Sequence, residues 1–435
     1  MKKGSQNWLI IAHCMNMDGQ AASHHVSDKL QYLERRGISP TLLSAASGSK
    51  DCQYPHHQVF SPFPSGIKFE LRHAIRLRIK NRILSEILLG ILNLIIVPFY
   101  LLEKVFLPFD SQWSWFISAY FCGLKIIKSK KIDFIYVLGG ASSGFLAVHL
   151  LSKRSRIPFI AECFDPIISS EWRRSRLSFH FNKWIESLIC KHAQAVVWYT
   201  DGAKNEALHR NPSLGHRGHV VRPGMDPPNF NGVEYHKTEK LKFSYFGGLS
   251  RERSLVIIIK AINQLLVDKP EYSKFVVLDV YGGELDELSR EFVRRNPCGF
   301  IKLHGRLEYD KKSNKSGRQQ VLEKMRTSDV LVLIHGIGHI TKLYIPSKTY
   351  EYLWTKRPIM LLTPCPEEWT ELLPEKDHFI IESGDKEKLL AGLHSFIDMW
   401  QNRGLPDRKL SVPFSANEAT EEIIKLAGKT FSCNI

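Results

Sequence analysis

The segment IPSKTYEYL, residues 345–353, gathers Ser347, Lys348 and Glu351 into little more than one helical turn. Pro346 suits the first position of a helix, so Ser347 and Lys348 fall at its N-terminus. Spacings of three and four residues put Lys348 and Ser347 on the same face as Glu351. A hydroxyl, an ammonium and the free amides of a helix start together suit a diphosphate. A carboxylate one turn deeper suits a pair of vicinal hydroxyls, such as those of a ribose. The same spacing also describes a surface Lys–Glu pair worth roughly 0.2–0.5 kcal/mol, and spacing alone leaves both readings open.

Two other stretches close apolar runs with paired glycines. YFGGLSRERS (245–254) ends a strand-like run at Gly247 and Gly248 and places Arg253 in the turn that follows. VYGGELDEL (280–288) repeats the pattern, with Gly283 ending the pair. Glycine lets a backbone approach a phosphate closely, and arginine adds a fork of donors. Loops at the carboxyl ends of strands in an open α/β sheet converge on one crevice, so these sites belong together if the strands do.

The elements needed to position them are legible. Apolar runs at 8–13, 39–45, 132–140, 158–163 and 195–200 alternate with helical patterns in the first half. Val26, Leu30 and Leu33 fall at helical spacing, and Gly37 stops that helix. After the Pro/Gly/Asn-rich stretch 221–232, six further strand-like runs begin at 241, 274, 301, 329, 358 and 378. Strand–helix alternation of this kind predicts an α/β chain with two parallel-sheet domains. The expected divisions are 1–222, a linker at 223–240, a second domain at 241–400 and a tail at 401–435.

Bulk composition narrows the class. The chain has 435 residues, 43% of them hydrophobic and 24% charged, which is ordinary for globular proteins. Eight scattered cysteines include no C-x-x-C pair, which argues against a zinc site or a disulfide scaffold and fits a reducing compartment. The net charge of +16 is uneven: residues 1–220 hold 28 Lys and Arg against 15 Asp and Glu, the remainder 32 against 29. A basic first half calls for an anionic partner, and the chain shows no nucleic-acid motif. The segment at about 66–131 stands apart. It runs from a basic amphipathic stretch (68–82) through sixteen uncharged apolar residues (87–102) to an aromatic-rich segment. Sixteen helical residues reach ~24 Å, short of the ~30 Å hydrocarbon core, and Pro98 is expected to interrupt them. Three readings stay open for the run: a core helix, an element lying in a membrane interface, and a span.

The ordered set of motifs resembles GT-B glycosyltransferases, specifically the glycosyltransferase family 4 group with a P-S-K-x-x-E-Y-L donor motif. Residues 17–37, 132–166, 220–230, 245–262 and 345–361 carry the resemblance in the family's order. It implies two Rossmann-like domains facing each other across a cleft, with a C-terminal helix crossing back to the first. It also implies a nucleotide-sugar donor held by Gly19, Gly247, Gly248, Arg253, Gly283, Ser347, Lys348 and Glu351, and no metal. Asp165 matches the aspartate of the first domain and, with His339, completes the expected catalytic set. His335 lies in the same loop as His339. Two departures stand out. Phe164 fills a position that is His or Arg in many relatives, and Leu343 stands eight residues before Glu351, where retaining members often carry a first glutamate. The implied function is transfer of a hexose-type sugar from a UDP- or GDP-type donor to a glycan or lipid-linked acceptor, with retention. The implied setting is the cytoplasmic face of an anionic membrane, in bacterial surface-polysaccharide synthesis. A nucleotide-sugar epimerase of the same fold and a catalytically weak binding protein are the alternatives.

Overall fold

The computed structural model describes residues 6–17, 21–79, 81–169, 174–310, 312–370, 372–374, 378–402, 404–409 and 415–428. The chain forms two compact units. The first runs to residue 226 and takes in the C-terminal segment; the second lies within 227–413.

The first unit contains β1 (Gln6–Ala12), α1 (Ala21–Arg35), β2 (Ile38–Ala45), β3 (His56–Val59), α2 (Pro64–Arg78), α3 (Arg82–Phe106), α4 (Trp115–Ser129), β4 (Phe134–Leu138), α5 (Ser142–Ser155), β5 (Phe159–Cys163), α6 (Arg176–His192), β6 (Ala195–Trp198), α7 (Asp201–Arg210) and β7 (Gly218–Val220). Its seven strands are all parallel, in the order β3-β2-β1-β4-β5-β6-β7. Ile10 pairs with Tyr136 and Ile135 with Phe159 at the buried centre. The runs that read as strands are buried on both faces, as parallel strands must be. The two edge strands, β3 and β7, escaped the sequence reading because HHQV and GHV carry no apolar run.

The second unit contains β8 (Leu241–Phe246), α8 (Val256–Asp268), β9 (Val276–Tyr281), α9 (Glu287–Arg295), β10 (Ile301–Gly305), α10 (Gly317–Arg326), β11 (Val330–Ile334), α11 (Lys348–Trp354), β12 (Ile359–Thr363), β13 (Phe379–Glu382) and α12 (Lys386–Asn402). All six expected strands are present, parallel and ordered β10-β9-β8-β11-β12-β13. Phe243, Leu278, Val332 and Met360 form its core with Ile262 and Phe396 from the covering helices. The expected linker ends early. Tyr235 donates to Asp329 at 2.5 Å, and the buried Arg357 guanidinium sits 3.3 Å from its ring centroid. The second unit also runs past 400: Leu405 is in its core, and Asp407 accepts both guanidinium nitrogens of Arg326 at 2.7 Å.

The last helix, α13 (Ala416–Gly428), belongs to the first unit. Ile423 and Leu426 close the apolar face that Val26, Leu30 and Leu33 present on α1. Arg36 pairs with Glu421 and donates to Asn417 at 2.8 Å, and Gln194 donates to the Leu426 carbonyl at 2.8 Å.

The insert corrects one expectation and removes one of the readings left open. Pro98 does not interrupt α3, which continues through it for 25 residues, ~37 Å at 1.5 Å per residue. Pro98 lies on the exposed side, where the carbonyl it leaves unpaired is not sealed in protein. Nor is α3 a core helix: only 11% of its most apolar window is buried. It is instead half of an antiparallel hairpin with α2. Glu103 accepts from the Ser65 amide at 2.8 Å and hydroxyl at 2.6 Å, and Arg76 pairs with Glu86 at 3.0 Å toward the other end. Glu70 fastens α2 to the preceding turn through the Ser61 amide at 2.8 Å and hydroxyl at 2.6 Å.

Truncating Ile423 to alanine opens a cavity under α1 and is expected to lower the first unit's unfolding free energy by about 2–4 kcal/mol. Urea denaturation of the full chain, followed by tryptophan fluorescence, measures it.

Candidate functional site

In the second unit, connections from β8 and β11, which are neighbours in the sheet, leave in opposite directions. This is the switch point, where a crevice opens beyond the carboxyl ends of the strands. The loop 247–254 follows β8, and the segment 335–347 follows β11 and leads into α11. Lys348 reaches back from α11 to donate to the Phe246 carbonyl at the end of β8, with its ammonium 5.9 Å from the Tyr245 ring centroid. Gly247 makes this possible. Its φ is +126°, and a Cβ there would lie 1.6 Å from the Lys348 nitrogen.

The two residues of the second glycine pair play different parts. Gly282, not Gly283, makes the close approach: a Cβ on Gly282 would lie 2.9 Å from the Gly247 backbone, while Gly283 and Gly248 face open space. Asp286 ties these two loops together by accepting from the Ser254 hydroxyl at 2.6 Å and the Leu255 amide at 3.2 Å. Arg253 packs its side chain toward Gly336, where a Cβ would meet it at 3.4 Å, so the two switch-point loops touch.

Glu351 is buried and pairs with Arg318 at 2.6 Å. Sequence reasoning missed Arg318. It lies on the first turn of α10, 33 residues before Glu351, and nothing in its local pattern marks it. Ser347 immediately precedes α11 with helical backbone angles and makes no side-chain cap. Burial pushes the Lys348 pKa down to about 8; Glu351 opposes that shift, and Arg253 and Arg318 add to it. Three cations and one carboxylate therefore lie close together at the switch point. Such a set attracts a polyanion and keeps a carboxylate available for hydroxyl donors.

The rest of the motif is scaffold. The Phe246 amide donates to the Tyr352 hydroxyl at 3.2 Å, and that hydroxyl lies 3.4 Å from the Val332 carbonyl, bridging β8 and β11 where they part. Leu343, in the position of the absent glutamate, is buried. His335 is structural. Its ring nitrogens lie 3.1 Å from the Thr363 hydroxyl and 2.9 Å from the Tyr344 carbonyl, between the Tyr344 and Trp369 rings. Burial lowers its pKa to about 4, so it is neutral at physiological pH. His339 opens a short 3₁₀ turn, and its side chain lies outside the described residues, as does all of Gly19.

The first unit has its own pocket, of about 240 Å³, at the ends of β4 and β5. Asp165 lines it beside Gly139, Ser142 and Arg174. Solvent reaches the Asp165 carboxylate, yet the protein packed around it raises its pKa above the ordinary value. Asp110, from the insert, also lines the pocket and accepts from Ser178 at 3.0 Å and Arg174 at 3.2 Å. Phe164 also lines the pocket, and its ring joins an aromatic group, 5.2 Å from the His25 ring and 5.6 Å from that of Tyr199. Beneath the sheet ends lies a polar cluster that the sequence did not announce. Buried Glu162 accepts from Lys29 at 2.5 Å and Tyr199 at 2.6 Å, and also from Tyr136.

Comparison with known proteins bears on the fold. No protein-family model matches the sequence, and no curated protein matches it. Among solved structures, sucrose-phosphate synthase from Thermosynechococcus elongatus superposes with a TM-score of 0.62 at 12% identity, covering 99% of this chain and 100% of that one. HepE from Anabaena, in complex with UDP, gives 0.58 at 13%, covering 98% and 100%. UDP-GlcNAc 2-epimerase from Methanocaldococcus jannaschii gives 0.52 at 12%, also covering 98% and 100%. At such identities the likeness establishes the fold, two Rossmann-like units in the GT-B arrangement of elements.

Replacing Tyr352 with phenylalanine leaves the Phe246 amide and the Val332 carbonyl short of a partner. The expected cost is about 1–3 kcal/mol of stability, measurable as a lowered thermal midpoint without ligand.

Proposed function

We propose that the protein is a glycosyltransferase that moves a sugar from a UDP- or GDP-type nucleotide sugar to a glycan or lipid-linked acceptor. One observation carries this reading: Arg253, Arg318 and Lys348 gather with Glu351 at the glycine-cleared switch point of the second unit. A nucleotide diphosphate leaves with negative charge growing on its terminal phosphate. Fixed cations in a partly dried crevice stabilise that charge more than they stabilise the intact donor, which is how they accelerate transfer. In this reading Lys348 and Arg253 meet the diphosphate, Ser347 adds a hydroxyl, and Glu351 accepts from the ribose diol while Arg318 holds it in place. The cations do the work a metal does elsewhere, so none is required.

The pocket beside Asp165 is the proposed acceptor seat. An aspartate with a raised pKa, open to solvent on one side, is suited to take a proton from an incoming hydroxyl. Retention of anomeric configuration rests on the family resemblance, and Leu343 means that any nucleophile-like carboxylate comes from another position. The basic first half supports an acceptor embedded in an anionic membrane, with the protein peripheral at its cytoplasmic face and serving bacterial surface-polysaccharide assembly. The epimerase alternative draws on the likeness to the Methanocaldococcus enzyme's fold. Product analysis without acceptor separates the two, because an epimerase converts the donor alone and a transferase does not.

Calorimetry with UDP, GDP and their hexose conjugates tests the reading directly. One nucleotide class is expected to bind, and Glu351→Ala to weaken it at least tenfold; unchanged affinity in that variant removes the assignment.

The pH dependence has a defined sign. Lys348 in the free protein loses its proton above about pH 8, and a bound diphosphate favours the protonated form. Nucleotide affinity is therefore expected to hold below pH 8 and to fall by up to tenfold per unit above it. Lys348→Ala abolishes that fall.

A further inference from the structure

We infer that the groove between α2 and α3 is a binding site for an anionic phospholipid, with the phosphate on the α2 wall and the acyl chain along α3. This deepens the proposed membrane setting but does not depend on the transferase reading. The groove encloses about 300 Å³. Its α2 wall carries Lys68, Arg72 and Arg76, spaced four apart and so aligned in one stripe. Among the described residues, neither Lys68 nor Arg72 has a carboxylate within ion-pair distance, whereas Arg76 is paired with Glu86. Lys68 instead rests 4.7 Å from the Tyr100 ring centroid. The α3 wall is mainly apolar, formed by Leu89, Leu92 and Ile96 and ending at Tyr100, with Glu86 and Asn93 as its polar members. A basic wall facing a mainly apolar one matches the two ends of an anionic amphiphile.

The surroundings point the same way. Glu70 and Glu103, two of the three acidic residues in the hairpin, are turned inward onto serines, so their charges are withdrawn from the surface. The outer face of α3 exposes Ile87, Ile91, Phe99 and Leu102, and its most exposed members, Leu94 and Val105, are 79% and 75% accessible. A soluble surface rarely carries so continuous an apolar stripe without a partner. A bilayer accepts the stripe and the cations together. A second copy docked symmetrically through this face would set one basic stripe against another. A lone membrane span is also disfavoured, because α3 is fastened to the charged α2 near both ends.

Flotation of the full-length protein with phosphatidylcholine vesicles, with and without 30% phosphatidylglycerol, tests the site at 0.15 M salt. Binding is expected only to the anionic vesicles. Lys68→Gln with Arg72→Gln is expected to weaken it about thirtyfold, from roughly a fivefold loss per cation. Lys153→Gln with Arg154→Gln removes the same charge from exposed positions on α5 and is expected to change binding less than twofold. Thermal midpoints confirm that both double variants fold, and nucleotide calorimetry on them reads the second unit separately. Equal binding to neutral vesicles overturns the inference, as do equal losses in the two double variants. So does a dimer, detected by light scattering, that Leu94→Asp dissociates.

Discussion

The second unit is organised around one short approach, the Lys348 ammonium against the carboxyl end of β8. An ammonium can reach a strand-end carbonyl only if nothing stands over that strand end, and position 247 is therefore glycine with left-handed backbone. The constraint then propagates. Gly247 presses on residue 282, which must also lack a side chain. Asp286 fixes the two glycine loops relative to each other. Tyr352, one turn beyond Lys348, fills the divergence between β8 and β11 that the switch point creates. Loops far apart in sequence are held by backbone geometry rather than by apolar packing, and the crevice they leave is polar and positively charged.

The first unit solves a related problem with a buried charge. Withdrawing Glu162 from water is costly unless its oxygens find donors, and Lys29 with two tyrosines supplies three from different parts of the fold, reaching both oxygens. The cluster joins α1 to the ends of β4, β5 and β6 directly beneath the Asp165 pocket. Its members lie on apolar strands and an amphipathic helix, so in sequence each looked like an ordinary element residue.

Legibility followed from how local the cause was. Most strands of the second unit could be read because they are buried apolar runs, a pattern that depends on nothing distant; the exposed edge strand β10 was read from its place in the strand–helix alternation. The helix start at Lys348 and the placement of Glu351 one turn further on were also local matters. Sequence shows a pair of glycines at 282 and 283 but not which of them abuts Gly247. Arg318 was invisible for the same reason: its pairing with Glu351 is a tertiary fact. Within the insert, hydropathy marked α3, but not that Pro98 sits on a side where a broken hydrogen bond is tolerable. Nor could hydropathy separate a buried helix from an exposed one, since the two differ only in what surrounds them.

The placement of α13 also has a consequence in time. The apolar face of α1 is made within the first 35 residues, but the helix that covers it begins at residue 416. A ribosome adding roughly 5–20 residues per second takes about 10–40 s to travel from the end of the first sheet to α13. Through that interval Val26, Leu30 and Leu33 on α1 lack the cover of Ile423 and Leu426, although the sheet that α1 packs on is already made. The second unit has time to fold on its own meanwhile. The nascent first unit is thus the stage most exposed to aggregation, and the place where a chaperone has the most to shield.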